Sequence, residues 1–418
     1  MAQRRKNISS DSESQAMSRR GFMAGAGAAA FSFAVVKPQL VRGSEANSKV
    51  RLGLLGCGGR GTWIAGLFKE HGGYEIVAAA DYFQDKVDTF GEKLGVPPAH
   101  RYTGLSGYRR VLDQKVDAVA VETPPYFHPE HAAAGVDAGC HVYLAKPVAV
   151  DVPGCQSVAE SGKKASAKKL CFLVDFQTRA NEFYVEALKR VHDGAIGRFA
   201  FGEAIYHANT TWGGMEKFLK DDATDPEKRL RAWGLNKILS GDIITEQNIH
   251  TLDVASWIMN VPPVSAVGVG GQKVRTVGTC WDCFTLVFEY PEKVGITFSS
   301  KQFKGHGSKP DGIRNRMFGS KGVLETEYGG QVLIRGENFY HGGQTTDIYK
   351  EGAVNNIATF HADITGGHFD NSTVGPSVRS NLVTILGRTA AYTGEKVYWD
   401  KLIKSSEKLE ADLGGLKA

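Results

Sequence analysis

The chain has 418 residues, more than one ordinary hydrophobic core organises, so two folded domains are expected. Its 42% hydrophobic and 23% charged content excludes a fibrous, disordered or largely membrane-embedded protein. The formal net charge is +5, but residues 1–46 hold seven basic and three acidic residues (7 − 3 = +4), leaving +5 − 4 = +1 for the rest, and no basic stripe follows. Nucleic-acid binding is therefore not expected.

In chain order, Ser18-Arg19-Arg20-Gly21-Phe22-Met23 fits the S-R-R-x-F-[LM] pattern of twin-arginine export signals. The apolar run from Phe22 to Val36 is rich in Ala and Gly and too short for a membrane span, so it reads as the hydrophobic part of that signal and not as an anchor. Small residues at Ser44 and Ala46 suggest cleavage before Asn47. An exported, periplasmic protein without membrane insertion is the expectation.

After the signal, Val50–Leu55 reads as a buried strand, with further strands at Tyr74–Ala80, Val116–Glu122, His141–Leu144 and Leu170–Asp175. Helical patterns lie between them at Gly61–Glu70, Asp85–Leu94, Pro129–Ala138 and Gly154–Lys168. This alternation predicts an α/β Rossmann domain over residues 47–175, a parallel sheet with helices on both faces. Beyond it come a helix at Asn181–Asp193, an alternating strand at Phe199–His207, a polar insertion from Ala208 to Leu239 and a helix at Glu246–Met259. Strands at Val264–Gly270, Phe284–Tyr290, Gly295–Lys301 and Val323–Glu327 and helices at Asn355–Gly366 and Ser377–Gly394 complete the pattern. An α+β domain with a mainly antiparallel open sheet is expected over 176–418.

Gly56-Cys57-Gly58-Gly59-Arg60-Gly61 is a G-x-G-x-x-G run directly after the first strand and opening a helix. Gly56 permits the tight turn, Gly58 lets the backbone approach a pyrophosphate, and Gly61 allows close packing of helix on strand. Asp81 ends the second strand, where a carboxylate accepts the ribose hydroxyls of NAD. The same charge repels a 2′-phosphate, and Tyr82-Phe83 brings no cation to offset it, so NAD is expected over NADP.

Cys57, Cys140, Cys155 and Cys171 stand singly in buried elements. Cys280-Trp281-Asp282-Cys283 has metal-type spacing but no second ligand pair, so it reads as structural, and no metal site is expected.

Glu122-Thr123-Pro124-Pro125-Tyr126-Phe127-His128 and Gly139-Cys140-His141-Val142-Tyr143-Leu144-Ala145-Lys146-Pro147 follow the glycine turn. With the later run Glu246-Gln247-Asn248-Ile249-His250-Thr251-Leu252-Asp253, they resemble the Gfo/Idh/MocA oxidoreductases, which include glucose–fructose oxidoreductase and inositol dehydrogenase. The resemblance spans essentially all of the chain beyond the signal. It implies a nicotinamide at the domain boundary, a sugar, cyclitol or glycoside substrate, and a cis peptide bond before Pro147. It also implies cofactor contacts from Gly59, Arg60, Thr123, Pro124, His128 and Lys146, and a homo-oligomer formed through the C-terminal sheet.

Hydride transfer from a carbinol carbon needs a proton acceptor for the hydroxyl and a donor for the alkoxide. His250 fits as the base and Lys146 as the polarising cation, with the reverse assignment open. Glu246, i and i+4 from His250 on one helix, is expected to fix its tautomer and raise its basicity. Asp253 reads as structural. Arg179 at the domain junction and Trp212 and Trp233 in the insertion are candidate substrate contacts, the tryptophans as stacking platforms.

Two positions depart from the family pattern: the usual E-K-P is Ala145-Lys146-Pro147, and Glu246 stands where Asp is commoner. Two other activities share the expected fold: a glycoside hydrolase that oxidises, eliminates and reduces on a transiently used NAD, and a non-catalytic sugar or nucleotide binder. Export and cofactor together imply a retained nucleotide, covered by the Ala208–Leu239 insertion or by residues before Val50, and a redox-neutral cycle.

Overall fold

The computed structural model describes residues 49–418 except 211 and 310. The expected export signal lies outside the described residues. Lys49–Ala418 forms one compact unit.

Six strands make the first sheet: β1 (Val50–Leu55), β2 (Tyr74–Ala80), β3 (Arg101–Tyr102), β4 (Ala118–Val121), β5 (His141–Ala145) and β6 (Phe172–Asp175). Their order is β3-β2-β1-β4-β5-β6 and every pairing is parallel. β4 to β6 are buried at every position except the first of β5, the pattern of a sheet covered on both faces. The chain reverses its direction of travel between β1 and β4, which opens a crevice at the carboxyl ends of these strands.

Nine strands make the second sheet: β7 (Phe199–Ala208), β8 (Ser265–Gly271), β9 (Cys283–Glu289), β10 (Gly295–Gln302), β11 (Gly312–Gly319), β12 (Gly322–Glu327), β13 (Gln331–Gly336), β14 (Tyr340–Gln344) and β15 (Val397–Tyr398). It is antiparallel apart from the β7–β10 pair. Period-two burial in β9 and β10 turns Phe284, Leu286, Phe288, Ile296 and Phe298 onto the helices Ile249–Met259 and Val374–Thr393. The other face leaves Phe201, Val267, Val269 and Val287 exposed.

Chain order and packing part company near the C-terminus. The helix Ile348–Gly366 follows the second sheet in sequence but seats Ala353, Ile357 and Phe360 in the core of the first, with Phe68 and Tyr143. Asn371 and Thr373 then accept from the backbone N–H groups of Phe172 and Val174 on β6.

The insertion is not an unstructured loop. It forms short helices at Glu216–Asp221, Pro226–Arg231 and Lys237–Ser240, the second and third capped by Asp225 and Asn236. The last residues, 403–418, run as an irregular strap back to the first sheet: the Lys417 N–H donates to the Tyr82 hydroxyl (3.1 Å) and the Leu105 N–H to the Lys417 carbonyl (3.0 Å).

Candidate active site

β1 runs into Gly56, whose φ of +95° is the left-handed conformation that glycine adopts freely. A Cβ there would lie 2.6 Å from the Glu122 backbone, and one on Gly61 would overlap the Gly56 carbonyl. Gly58 and Gly59 have open space where a Cβ would stand. The turn thus packs tightly on its protein side and leaves backbone exposed on the other, at the N-terminus of the helix Gly59–His71, the arrangement that receives a pyrophosphate.

A cavity of about 400 Å³ lies against this turn, lined by Gly56, Gly58, Gly59, Asp81, Thr123 and Pro124. Asp81 accepts from the backbone N–H of Cys57 (2.8 Å) and of Phe83 (3.0 Å), so its carboxylate organises the turn as well as facing the cavity. Burial raises its pKa against these two hydrogen bonds. The cavity fits a dinucleotide: a glycine cradle at its middle and a carboxylate at its ribose end.

Tyr82 and Phe83 bring no cation to the ribose end, but two cations reach the cavity from other positions. Lys86, in the first turn of the helix Gln84–Leu94, and Arg231, from the insertion, both line the cavity. Arg231 pairs with Asp85 at 2.7 Å and covers the Phe83 ring at 3.8 Å. Adjacent sequence could not show a cation delivered from 150 residues away. Asp81→Ala should therefore weaken NAD binding roughly 10–100-fold, the worth of a charge-assisted hydrogen bond, and leave NADP binding little changed. Titration with both nucleotides checks this, and equal losses would reverse the assignment.

His128 is corrected from a cofactor contact to a structural residue. Its ring is buried, with Nδ1 at 2.7 Å from the Pro147 carbonyl and Nε2 at 2.7 Å from the Thr123 carbonyl. Burial holds its pKa down at about 4, so the neutral ring donates to one carbonyl at a time. It ties the β4 turn to the Lys146–Pro147 bond, which is cis. His131, unremarked in the sequence, lines the cavity instead, its Nδ1 3.1 Å from the Thr123 hydroxyl.

Arg60 is likewise turned away from the expected cofactor contact. Its guanidinium forms ion pairs with Glu122 (3.2 Å) and Asp175, and donates to the Tyr349 hydroxyl at 2.7 Å. Trp63 and Tyr349 stack with ring centroids 4.6 Å apart beneath it. Burial works against its charge, but Glu122 and Asp175 outweigh that and raise its pKa. Glu122, Asp175 and Tyr349 were not anticipated. A Glu closing the wholly apolar run of β4 was a legible signal, whereas Tyr349, 289 residues from Arg60, carried none.

Lys146 Nζ donates to Glu246 twice, to the backbone carbonyl at 2.6 Å and to Oε1 at 3.1 Å. Two of its three N–H bonds are thus fixed and one remains for a substrate oxygen. Glu246 and His250 do not share a helix. The helices Asp242–Glu246 and Ile249–Met259 meet at a break, where Gln302 donates to the Gln247 side chain. Glu246 therefore holds Lys146, and the expected contact with His250 is replaced. Nor is the imidazole made more basic: burial first, then the Lys146 and Arg60 charges, push its pKa well below 6.5. His250 packs on Tyr328 at 5.3 Å, its Nδ1 buried without a hydrogen-bond partner.

Three substrate candidates land elsewhere. Arg179 grips Asp253 in a bidentate pair (2.8–3.1 Å) and lies over Trp257, so it anchors the helix that carries His250. Trp233 lines the cofactor cavity, and Trp212 packs beside it at 5.2 Å. Trp233 is thus a wall of the nucleotide cavity, and Trp212 backs it. Cys280 and Cys283 are free and contact the Gly234 and Gly271 carbonyls, and the described residues contain no cluster suited to a metal. No helix among the described residues is long and apolar enough to cross a membrane.

Residues 50–173 match the family described as oxidoreductase family, NAD-binding Rossmann fold, and residues 184–325 match the GFO/IDH/MocA C-terminal domain. The chain is 26% identical to myo-inositol 2-dehydrogenase of Thermotoga maritima over 280 residues, 66% of this chain and 74% of that protein. It is 29% identical to alpha-N-acetylgalactosaminidase of Shewanella oneidensis over 168 residues, 39% of this chain but 36% of that protein. The fold is similar to aldose-aldose oxidoreductase from Caulobacter crescentus, with TM-score 0.65 and 22% identity, covering 84% of this chain and 99% of the other.

Proposed function

The chain belongs to the Gfo/Idh/MocA family of NAD-dependent oxidoreductases, and from that premise we propose that it interconverts a sugar or polyol hydroxyl and its ketone on a nucleotide it does not release. The observation that carries the reading is the pairing of Lys146 with Glu246 beside a neutral, buried His250. The pair keeps Lys146 a cation aimed by two hydrogen bonds, ready to stabilise an alkoxide. His250, kept neutral by burial and two nearby cations, is the acceptor of the hydroxyl proton at Nε2 in this reading. NAD, held by the glycine turn and Asp81, would supply the hydride acceptor.

Retention is supported by what covers the cavity. Met215, Phe218, Leu230 and Trp233 of the insertion line it opposite the glycine turn. The strap adds a second layer: Leu413 and Leu416 pack with Leu230, Tyr82 and Leu105, and Arg229 meets Asp412 at 3.3 Å. An exported protein has no free NAD pool outside the inner membrane, so the Arg19-Arg20 signal and the double cover belong to one design. Cell fractionation tests the export.

A redox-neutral cycle follows, because a held hydride has to be given back in place. One form is ping-pong exchange between two sugars. The other is oxidation, elimination and reduction at a glycoside, favoured by the similarity to alpha-N-acetylgalactosaminidase. A panel of polyols, aldoses and aryl glycosides offered to the purified protein separates the two: hydride exchange between sugars, or glycosidic cleavage without net nucleotide reduction.

A further inference from the structure

The chemistry proposed for Lys146 and His250 uses none of the aromatic rings that lead away from them. Tyr328 packs on the His250 ring at 5.3 Å, and its hydroxyl is buried without a hydrogen-bond partner. Tyr349 comes next, its phenol near enough to Tyr328 to add to the upward push that burial gives the Tyr328 hydroxyl. Trp63 ends the series, stacked on Tyr349 at 4.6 Å with 25° between the rings. Exposure grows along this path: His250 is buried, Tyr328 is half-buried and Tyr349 is 44% exposed.

Local ties fix the outer rings. The Thr345 hydroxyl lies 2.9 Å from the Gly330 carbonyl and 3.0 Å from that of Glu327, which seats the start of the helix Ile348–Gly366 beside the Tyr328 turn. Further along that helix, Asn356 donates to Asp175 at 2.8 Å, and a Cβ on Gly352 would lie 2.5 Å from the Gln177 side chain. Trp63 stands one turn beyond Arg60 on the helix Gly59–His71. Arg60 sits 5.3 Å from both ring centroids and donates to the Tyr349 hydroxyl, while Glu122 and Asp175 hold its other nitrogens. Rings held this firmly lose little freedom when a ligand docks.

Resting on the reading of Lys146 and His250 as the reacting centre, we propose that Trp63 and Tyr349 form an outer carbohydrate subsite, which selects a glycoside over a free sugar or polyol. The reacting ring meets Tyr328, whose hydroxyl still lacks a partner, and the next ring or the aglycone reaches Tyr349. Sugar rings carry faces of C–H groups, and these dock on the electron-rich face of an aromatic ring. The tryptophans expected in that role, Trp212 and Trp233, stand at the nucleotide cavity instead.

Calorimetric titration of the full-length protein with its nucleotide bound tests this. The probes are glucose, galactose and N-acetylgalactosamine, each as the free sugar and as its phenyl α- and β-glycosides. The wild type should bind at least one glycoside more tightly than its free sugar. Tyr349→Ala should weaken that glycoside roughly 5–20-fold, the worth of a ring contact, and shift the free sugar less than about twofold. Tyr349→Phe keeps the ring and loses the hydrogen bond from Arg60, so it should bind the glycoside as the wild type does. Circular dichroism and NAD affinity show that each variant is intact. Absence of any glycoside preference in the wild type, or equal losses for sugar and glycoside in Tyr349→Ala, overturns the proposal. So does a Tyr349→Phe variant as weak as Tyr349→Ala, which would leave Tyr349 only the task of holding Arg60. A glycoside that binds through Tyr349 but is neither oxidised nor cleaved upholds the subsite and counts against the proposed reaction.

Discussion

Lys146→Ala and His250→Ala should each lower turnover by roughly 10²–10⁴-fold, about 3–5 kcal/mol of transition-state stabilisation, with nucleotide affinity almost unchanged. The reason lies in the charge arrangement. Lys146 is held by Glu246 through two hydrogen bonds, which fixes the cation that the proposed role directs at the substrate oxygen. His250 stays neutral under burial and the Lys146 and Arg60 charges, so it accepts a proton throughout the neutral range. The sign has a consequence for pH: a base whose folded pKa lies well below 6.5 keeps its activity as pH falls through 6.5. Glu246→Gln should loosen Lys146 and cost less than deleting it, since the backbone carbonyl still accepts. Single-turnover measurements check all three, and near-normal turnover in Lys146→Ala or His250→Ala refutes the role assigned to that residue.

Removal of residues 406–418 should speed nucleotide release roughly 10–100-fold without unfolding the protein. The strap packs the half-buried Leu413 and Leu416 on the cluster of Phe127, Leu230 and Leu239, and losing two such apolar side chains is worth about 2–3 kcal/mol of cover. It also carries the Lys417–Tyr82, Ala411–Tyr126 and Leu409–Asp151 hydrogen bonds. Because the insertion and the strap meet at Arg229–Asp412, the cut should loosen the Pro226–Arg231 helix as well, and with it Arg231 at the cavity wall. Nucleotide still bound after gel filtration of the shortened chain, at wild-type level, would show that the strap does not retain it.

In the nucleotide half the sequence carried the glycine turn and Asp81, but not the roles of Arg60 and His128. The apolar strands, the glycine turn and Asp81 obey local rules of spacing, and the structure places them as those rules require. It carried the catalytic half by identity more than by geometry. Glu246 and His250 share a helical spacing, yet a break at Gln247, where the Gln302 side chain from 55 residues away donates to Gln247, separates them. Arg60 sat inside the glycine motif, but its partners arrive from β4, β6 and the Ile348–Gly366 helix, which only the folded topology brings together. β11, β13 and β14 escaped notice because their Gly and Arg content masks the period-two pattern, and in β11 those arginines pair with half-buried glutamates. The strap has no periodicity at all, so nothing local marked it as cover for the cavity.

Working on a kept nucleotide distinguishes the proposed cycle from ordinary exchange of free NAD. The direct measurement is to purify the full-length protein without added NAD, add a reactive sugar or glycoside, and record the near-ultraviolet absorbance of NADH. The prediction is a bound nucleotide in the starting spectrum and a rise in reduced nucleotide no larger than the amount of protein, reversed by the second sugar or by completion of cleavage. A nucleotide-free, inactive preparation that millimolar NAD restores, with NADH accumulating steadily in solution, would contradict it.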